Sequence, residues 1–263
     1  MDPVTTSALA AQLRALGVRH GGVLVVHMSF RAVRPVEGGP AGVIDALLEA
    51  LGPNGTLVMP SWTGDDDTPF DPVHTPVSPD LGVTPELFRQ RPGVRRSNHP
   101  FAFAALGPQA VAITGDPLPI PPHRVESSIG RVWERNGQIL LLGVGHDSNT
   151  TIHLAEALAR VPYALPKHIT VMRDGVPVRI DYGENDHCCR RFTLADEWLR
   201  TRGLQRDGRV GNAEARLVDS QDVVAVVRKH LARDPLLFLH EDACEECRAA
   251  RHSLTTARTE HAV

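Results

Sequence analysis

Hydrophobic residues in the first half of the chain follow helical and strand spacing in turn. A helix is predicted with Leu9, Leu13 and Leu16 on one face and Gly17 at its end. Three short apolar runs, over residues 23–26, 56–59 and 139–142, do not alternate with polar residues. Apolar runs of this kind, joined by helical segments, are typical of strands that are buried on both faces of a sheet. The pattern predicts an α/β fold.

The second half has a weaker but readable pattern. Residues 169–172 and 176–180 alternate around Asp174-Gly175, which predicts a hairpin. Helical periodicity returns over residues 192–199 and 222–231. No internal repeat or low-complexity linker divides the chain, so residues 1–263 are predicted to form one domain, with the tail from about residue 253 a candidate for disorder.

Composition narrows the classes of function. The 31 acidic and 28 basic residues nearly cancel, which argues against a polybasic nucleic-acid binder. No apolar run approaches the roughly 18–20 residues of a membrane span, and the N-terminus has no signal-peptide pattern. We therefore expect a cytoplasmic protein without a nucleic-acid or membrane partner.

The first candidate site is the predicted strand–turn–helix over residues 140–156. Gly143 allows the backbone to approach a ligand closely, and Asn149 or Thr150 can cap the helix. The helix N-terminus can then stabilise a phosphate or a developing oxyanion. His153 and Glu156 are three residues apart on one helical face, so His153 is a candidate general base. The alternative is a capped helix with an ordinary surface pair.

A second cluster follows the hairpin, where Glu184, Asp186 and His187 precede Cys188 and Cys189. Acidic groups crowded at the end of a strand often mark a cation-binding or catalytic site. The alternative is a polar loop that leads into the next helix.

The four cysteines form two groups, the adjacent Cys188 and Cys189 and the CxxC of Cys244 and Cys247. Zinc prefers four tetrahedral nitrogen or sulfur ligands, and a reduced compartment favours a metal over disulfides. Because adjacent cysteines rarely both bind one ion, His187 or His240 could replace one of them. Free thiols are the alternative.

Taken together and in order, these segments resemble the aminoglycoside 3-N-acetyltransferases of the antibiotic acetyltransferase family, most of all the apramycin-modifying subclass four. The resemblance extends from about residue 10 to 252, and its matching stretches are GGVLVVHMSFRAVRP, LGPNGTLVMPSW, RRSNHPFAFAALGP, DPLPIPPH, LLLGVGHDSNTTIHLAE, YGENDHCCRRF and CEEC. It implies the antibiotic N-acetyltransferase fold, a mixed sheet with flanking helices that differs from the common small N-acetyltransferase fold. It also implies acetyl-CoA-dependent acetylation of the 3-amino group of apramycin, gentamicin or tobramycin, with antibiotic resistance as the result.

The resemblance implies a role for each candidate residue. His153 would be the general base, oriented by Glu184 or by the local alternative Glu156, with Thr150 or Thr151 supporting the oxyanion. The predicted coenzyme contacts are His27, Ser29, Phe30, Arg31, Val33, Ser97, Phe101 and Gly143. The predicted aminoglycoside contacts are Asp66, His123, Glu156, Glu184 and Asp186. The predicted structural zinc ligands are Cys188, Cys189, Cys244 and Cys247.

Elementary chemistry agrees with these roles. Aminoglycosides are polycations, so their pocket needs carboxylates, and an ammonium group must lose a proton before it attacks a thioester. Direct transfer in a ternary complex needs no covalent acyl-enzyme. Three alternatives remain: an acyltransferase of the same family that acts on another amine, a zinc-dependent hydrolase, and a non-catalytic aminoglycoside-binding protein. The chain is expected to be a monomer or a homodimer.

Overall fold

The computed structural model describes residues 2–115, 118–185, 187–240 and 243–260, with side chains as far as residue 254. Its strands are β1 Val23–Met28, β2 Thr56–Pro60, β3 Arg95–Arg96, β4 Phe103–Leu106, β5 Gln138–Leu142, β6 Leu165–Arg173, β7 Val176–Glu184, β8 Gln205–Val210 and β9 Ala213–Asp219. Its helices are α1 Thr6–Leu16, α2 Phe30–Val33, α3 Gly39–Leu51, α4 Val83–Arg89, α5 Ala110–Thr114, α6 Ser128–Glu134, α7 Thr151–Ala159, α8 Leu194–Arg200, α9 Ser220–Leu231 and α10 Glu245–Glu260. Short 3-10 turns cover Pro79–Leu81, His146–Ser148 and Cys189–Thr193.

The main sheet has the strand order β3-β4-β2-β1-β5-β9-β8. Its centre is parallel, because β1 pairs in parallel with both β2 and β5. The outer strands pair antiparallel, and β6 and β7 form a separate hairpin. This mixed sheet with flanking helices confirms the predicted fold class.

Helices cover both faces of the central strands, which explains why the runs in β1, β2 and β5 are apolar throughout. Leu24 and Val26 point into the layer formed with α1 and α3, while Val25 points into the opposite layer with α6, α7 and α9. The alternation follows from the two-residue period of a strand. Each fully buried aliphatic side chain contributes about 1.5–3 kcal/mol to folding.

The pattern missed some elements. β8 and β9 carry charged residues at their exposed positions, so the sequence shows no clear apolar run there. The loop between β2 and α4, which contains five aspartates, includes a 3-10 turn at Pro79–Leu81 directly before α4. Helix α10 continues past residue 253, into the segment that was a candidate for disorder. None of the described helices combines the length and apolar composition needed to cross a bilayer.

The parallel pairing of β1 and β5 sets the position of the site. Both strands end at the same edge of the sheet, where the Ser29 backbone N–H donates to the Leu142 carbonyl at 3.0 Å. Ligands of open α/β sheets bind at the carboxyl ends of such strands. Helix α2 follows β1 at this edge, and the turn into α7 follows β5.

Candidate active site

The turn between β5 and α7 is held by buried polar side chains. Asn149, one of the two predicted caps, accepts the Thr151 backbone N–H through Oδ1 at 3.1 Å. Thr150, the other predicted cap, occupies the N-cap position, but its side chain makes no capping hydrogen bond. Asn149 also contacts the His146 ring, whose other nitrogen lies 2.9 Å from Gln205 Oε1. This network fixes the start of α7 and therefore the direction of His153.

His153 is buried on the first turn of α7 and has a defined partner at each ring nitrogen. Nδ1 lies 2.9 Å from Glu156 Oε2, and Nε2 lies 3.3 Å from the Cys189 sulfur. Burial lowers the pKa of His153, but Cys189 and Glu156 outweigh that effect and raise the pKa well above its ordinary value. Because Nδ1–H donates to the carboxylate, Nε2 is the nitrogen that can accept a proton from a substrate.

Glu156 is fully buried and is held by more than His153. The Tyr163 hydroxyl donates to Oε1 at 2.5 Å, and His187 Nε2 lies 2.8 Å from the same oxygen. Burial raises the pKa of Glu156, yet the hydrogen bonds of His153 and His187 prevail and the pKa is lowered. Glu156 is therefore an ionised orienting group for His153.

Two supporting residues were not predicted as site residues. Asn185 donates through Nδ2 to the His153 carbonyl at 3.0 Å and also reaches Glu156 at 3.4 Å. Tyr163 follows the end of α7, and nothing in its spacing marks it as a partner of Glu156. The one sequence signal for Asn185 is its position directly after Glu184, within the second candidate cluster.

Glu184 does not hold His153 as the resemblance implied. Its Oε1 accepts the Asn185 backbone N–H at 2.8 Å and lies 3.4 Å from His123 Nδ1. The local alternative, Glu156, makes the contact with His153 Nδ1 instead. Residues three apart on a helix lie on the same face, so Glu156 is already within reach of the ring. The His123 ring also adjoins His153, because the centroids of the two rings are 4.7 Å apart.

Two adjoining cavities open beside His153. The first, of about 350 Å³, is lined by His27, Phe101, Thr150, His153 and Cys189 among others. The second, of about 380 Å³, is lined by Ser29, Phe30 and Arg31. Both share the lining residues Met28, Asp80, Leu81 and Val144 and therefore form one channel. The channel contains five of the eight predicted coenzyme contacts and the predicted Thr150.

The His27 side chain lines the first cavity of this channel and is almost completely buried. Burial, together with nearby His146, lowers the pKa of His27 to about 4. His27 is therefore neutral at physiological pH, and its ring can hydrogen-bond a ligand without adding charge.

The remaining three predicted coenzyme contacts lie outside the lining of these cavities. The Val33 side chain is fully buried in the core layer with α1, because α2 turns that position inward. The Ser97 hydroxyl accepts the Phe103 backbone N–H at 3.0 Å. Gly143 has φ +71°, and a Cβ added at this position would overlap the Cβ of Ala32 in α2. Thr151, the first residue of α7, is also fully buried.

Gly143→Ala is expected to destabilise the fold by about 2–5 kcal/mol. A non-glycine residue at positive φ costs about 1–2 kcal/mol, and the new Cβ would overlap that of Ala32, which adds about 1–3 kcal/mol. Chemical denaturation measures the loss. Gly175→Ala is the matched control, since its φ is +78° but nothing lies within 4 Å of the new Cβ. Equal losses in both variants would contradict the close packing of Gly143 on α2.

A third cavity, of about 430 Å³, lies along α7 and its C-terminal end. Its lining includes the predicted substrate contacts His123, Glu156 and Glu184, together with Glu126 and Asn185. Asp66 lies instead on an exposed part of the loop between β2 and α4, outside the lining of the three cavities. In the same loop, Asp67 lies 2.7 Å from His168 Nε2 on β6. Asp186 falls outside the described residues.

The group of potential zinc ligands differs from the predicted set of four cysteines. One ligand atom each from Cys188, His240, Cys244 and Cys247 lies within 4.8 Å of all the others. Cys189 is not part of this cluster, because adjacent side chains point apart and its sulfur faces His153. His240, one of the two proposed substitutes, replaces it, with Nε2 3.3 Å from the Cys188 sulfur. His187, the other, is held by Glu156.

The fold and the site together define an α/β acyltransferase, and comparison with known proteins agrees. The family model described as aminoglycoside 3-N-acetyltransferase matches residues 25–232. Aminoglycoside N(3)-acetyltransferase IV of Salmonella sp is 62% identical over 232 residues, which are 88% of this chain and 89% of the relative. The chain belongs to the aminoglycoside 3-N-acetyltransferase family.

Solved structures show the same fold. Aminoglycoside acetyltransferase AAC(3)-IVa as apoenzyme superposes with a TM-score of 0.94 at 59% identity, over 96% of this chain and 98% of that one. A histidine-to-alanine mutant of that enzyme in complex with a gentamicin matches with the same values. AAC-IIIb, in a binary complex with CoASH, has a TM-score of 0.80 at 29% identity, over 88% of this chain and 97% of that one.

Proposed function

We propose that this protein transfers the acetyl group of acetyl-CoA to the 3-amino group of the deoxystreptamine ring of aminoglycosides such as apramycin, gentamicin and tobramycin. The transfer is direct, within a ternary complex. The observation that carries the proposal is the position of His153 Nε2, which faces the channel while Glu156 holds the opposite nitrogen. The gentamicin complex of a 59% identical enzyme supports the substrate class.

In the proposed mechanism, His153 Nε2 takes the proton from the 3-ammonium group as the amine attacks the thioester carbonyl. Glu156 stabilises the resulting imidazolium and keeps the ring oriented. The oxyanion develops near the N-terminus of α7, where Thr150 lines the channel and the helix dipole favours negative charge. Thr151, the other predicted oxyanion donor, is the first residue of α7 and is fully buried at the same turn. As the carbon–sulfur bond breaks, His153 gives its proton to the leaving CoA sulfur, and the nitrogen loses its remaining extra proton to solvent as it becomes an amide.

The charges along the channel and in the third cavity suit the two substrates. Arg31 and Arg34 line the second cavity, where guanidinium groups can pair with the phosphates of the coenzyme. Glu126 and Glu184 line the third cavity, next to His123, and can pair with the ammonium groups of a polycation. Asp66 and Asp186 remain predicted contacts for the outer parts of the antibiotic.

The proposed setting is antibiotic resistance in the cytoplasm, where acetyl-CoA is available and thiols stay reduced. The protein is proposed to act as a monomer or a homodimer.

The proposed function is tested by following CoA thiol release from acetyl-CoA. Release should depend on added apramycin, gentamicin or tobramycin. Folded protein that releases no thiol with any aminoglycoside would contradict the proposal, and release only with other amines would favour the alternative acyltransferase.

The cysteine cluster fits a structural zinc ion. Three thiol sulfurs and one imidazole nitrogen form a four-ligand set of the kind that closed structural sites use. Bound there, zinc would join the segment before Cys189 to the start of α10. A complete ligand set leaves no position for water, so this cluster offers no support for the zinc-hydrolase alternative.

Purified protein is expected to contain about one zinc ion per chain, because four ligands already converge. Elemental analysis by mass spectrometry measures it. Cys244→Ser should lose the metal and melt at a lower temperature, whereas Cys189→Ser, the neighbouring control, should retain it. Zinc-free wild-type protein, or loss of zinc from the Cys189 variant, would contradict this ligand set.

A further inference from the structure

Cys189 occupies a position that the transferase mechanism does not use. Its sulfur lies 3.3 Å from His153 Nε2, and His153 Nδ1 lies 2.9 Å from Glu156 Oε2. A thiol, an imidazole and a carboxylate are therefore joined in one hydrogen-bonded series. This is the arrangement that activates a nucleophile: the base accepts its proton, and a third group orients the base.

The Cys189 thiol is also accessible to the acyl donor. Cys189 is partly exposed and lines the first cavity of the channel with Thr150 and His153. That cavity continues into the one lined by Ser29, Phe30 and Arg31. The neighbouring Cys188 belongs to the four-ligand cluster, whereas the Cys189 thiol remains outside it.

We propose that, in the absence of an aminoglycoside, Cys189 accepts the acetyl group of acetyl-CoA and gives the protein a second activity as an acetyl-CoA thioesterase. His153 Nε2 removes the Sγ proton as the sulfur attacks the carbonyl carbon. The bond between that carbon and the CoA sulfur breaks, and the CoA sulfur leaves with the electron pair and takes the proton from His153. The products are S-acetyl-Cys189 and free CoA, and no oxidant or reductant is needed.

Water completes the reaction. It loses a proton to His153 as its oxygen attacks the acetyl carbon, the bond to Sγ breaks, and acetate leaves while the thiol is restored. When an aminoglycoside is bound, its amine takes the place of the thiol at Nε2, so transfer to the amine replaces this reaction. The inference rests on the proposed acetyl-CoA channel, but not on the identity of the amine.

The test uses full-length protein and acetyl-CoA alone. Free CoA is followed with a thiol reagent, and acid-quenched samples are analysed by intact mass and by peptide fragmentation. We expect CoA release without an aminoglycoside, with any acetyl adduct located on Cys189 and removed by neutral hydroxylamine. Cys189→Ala should lower this release at least about tenfold, and His153→Ala about 100-fold. Binding of CoA, measured by calorimetry, shows whether each variant is folded.

The same preparation is then given apramycin, which separates the two proposals. If apramycin-dependent release is normal but release without it is absent and no adduct forms, the Cys189 inference is wrong. An adduct on Cys188, or thioesterase turnover that persists in Cys189→Ala, also overturns it, the latter because water alone would then be the nucleophile. Loss of both activities in protein that binds CoA would overturn this inference and the proposed function together.

Discussion

Replacing His153 with alanine is expected to lower kcat for aminoglycoside acetylation by about 10²- to 10⁴-fold, the usual contribution of a positioned general base. The ring faces the channel through Nε2 and is held by Glu156 through Nδ1. Its removal leaves the 3-ammonium group without a proton acceptor at the thioester. Steady-state kinetics with apramycin measure kcat, and calorimetry should show that both substrates still bind.

His20→Ala is a suitable control for this variant. His20 is an exposed residue that precedes β1, so it lies at the opposite end of that strand from the site. The control should keep the wild-type kcat. Full activity in the His153 variant, with the control also active, would remove His153 from its proposed role.

Glu156→Gln is expected to lower kcat by about 100-fold, because the neutral amide cannot stabilise the imidazolium that forms during the transfer. The kinetics should also change with pH in a defined direction. The Glu156 charge helps to raise the pKa of His153, so its loss lowers that pKa. Since the base works in its deprotonated form, the acidic limb of the kcat profile should move to lower pH.

Glu184→Gln distinguishes the two carboxylates that the sequence left open. Glu184 faces His123 and lines the third cavity. Its replacement should mainly raise KM for the aminoglycoside and leave the acidic limb in place. If instead the limb moved in the Glu184 variant and stayed in the Glu156 variant, the orienting role would belong to Glu184. A uniform loss of activity in both, without a pH shift, would indicate only structural damage.

The sequence predicted the elements whose signal is local. The apolar runs of β1, β2 and β5 mark strands buried on both faces, and the turn residues Asp174 and Gly175 mark the β6–β7 hairpin. The β8–β9 pair was missed because its burial comes from packing against α1 and β5, which a charged strand sequence does not reveal.

Within the site, the sequence likewise predicted contacts between residues close in the chain but not contacts between distant segments. His153 and Glu156 were identified as a pair because helical spacing alone brings them together. The partners of Glu184 and of the two adjacent cysteines depend on where β7 and the segment before α10 lie in space. His123 for Glu184 and His240 for Cys188 therefore required the structure.

The central claim is that this protein moves an acetyl group from acetyl-CoA to the 3-amino group of an aminoglycoside. Mass spectrometry and NMR of apramycin after incubation with wild-type protein and acetyl-CoA test it most directly. We expect a product with a single acetyl group, located on the nitrogen at position 3 of the deoxystreptamine ring. An acetyl group on another nitrogen, or unchanged apramycin in the presence of folded protein that binds both substrates, would contradict it.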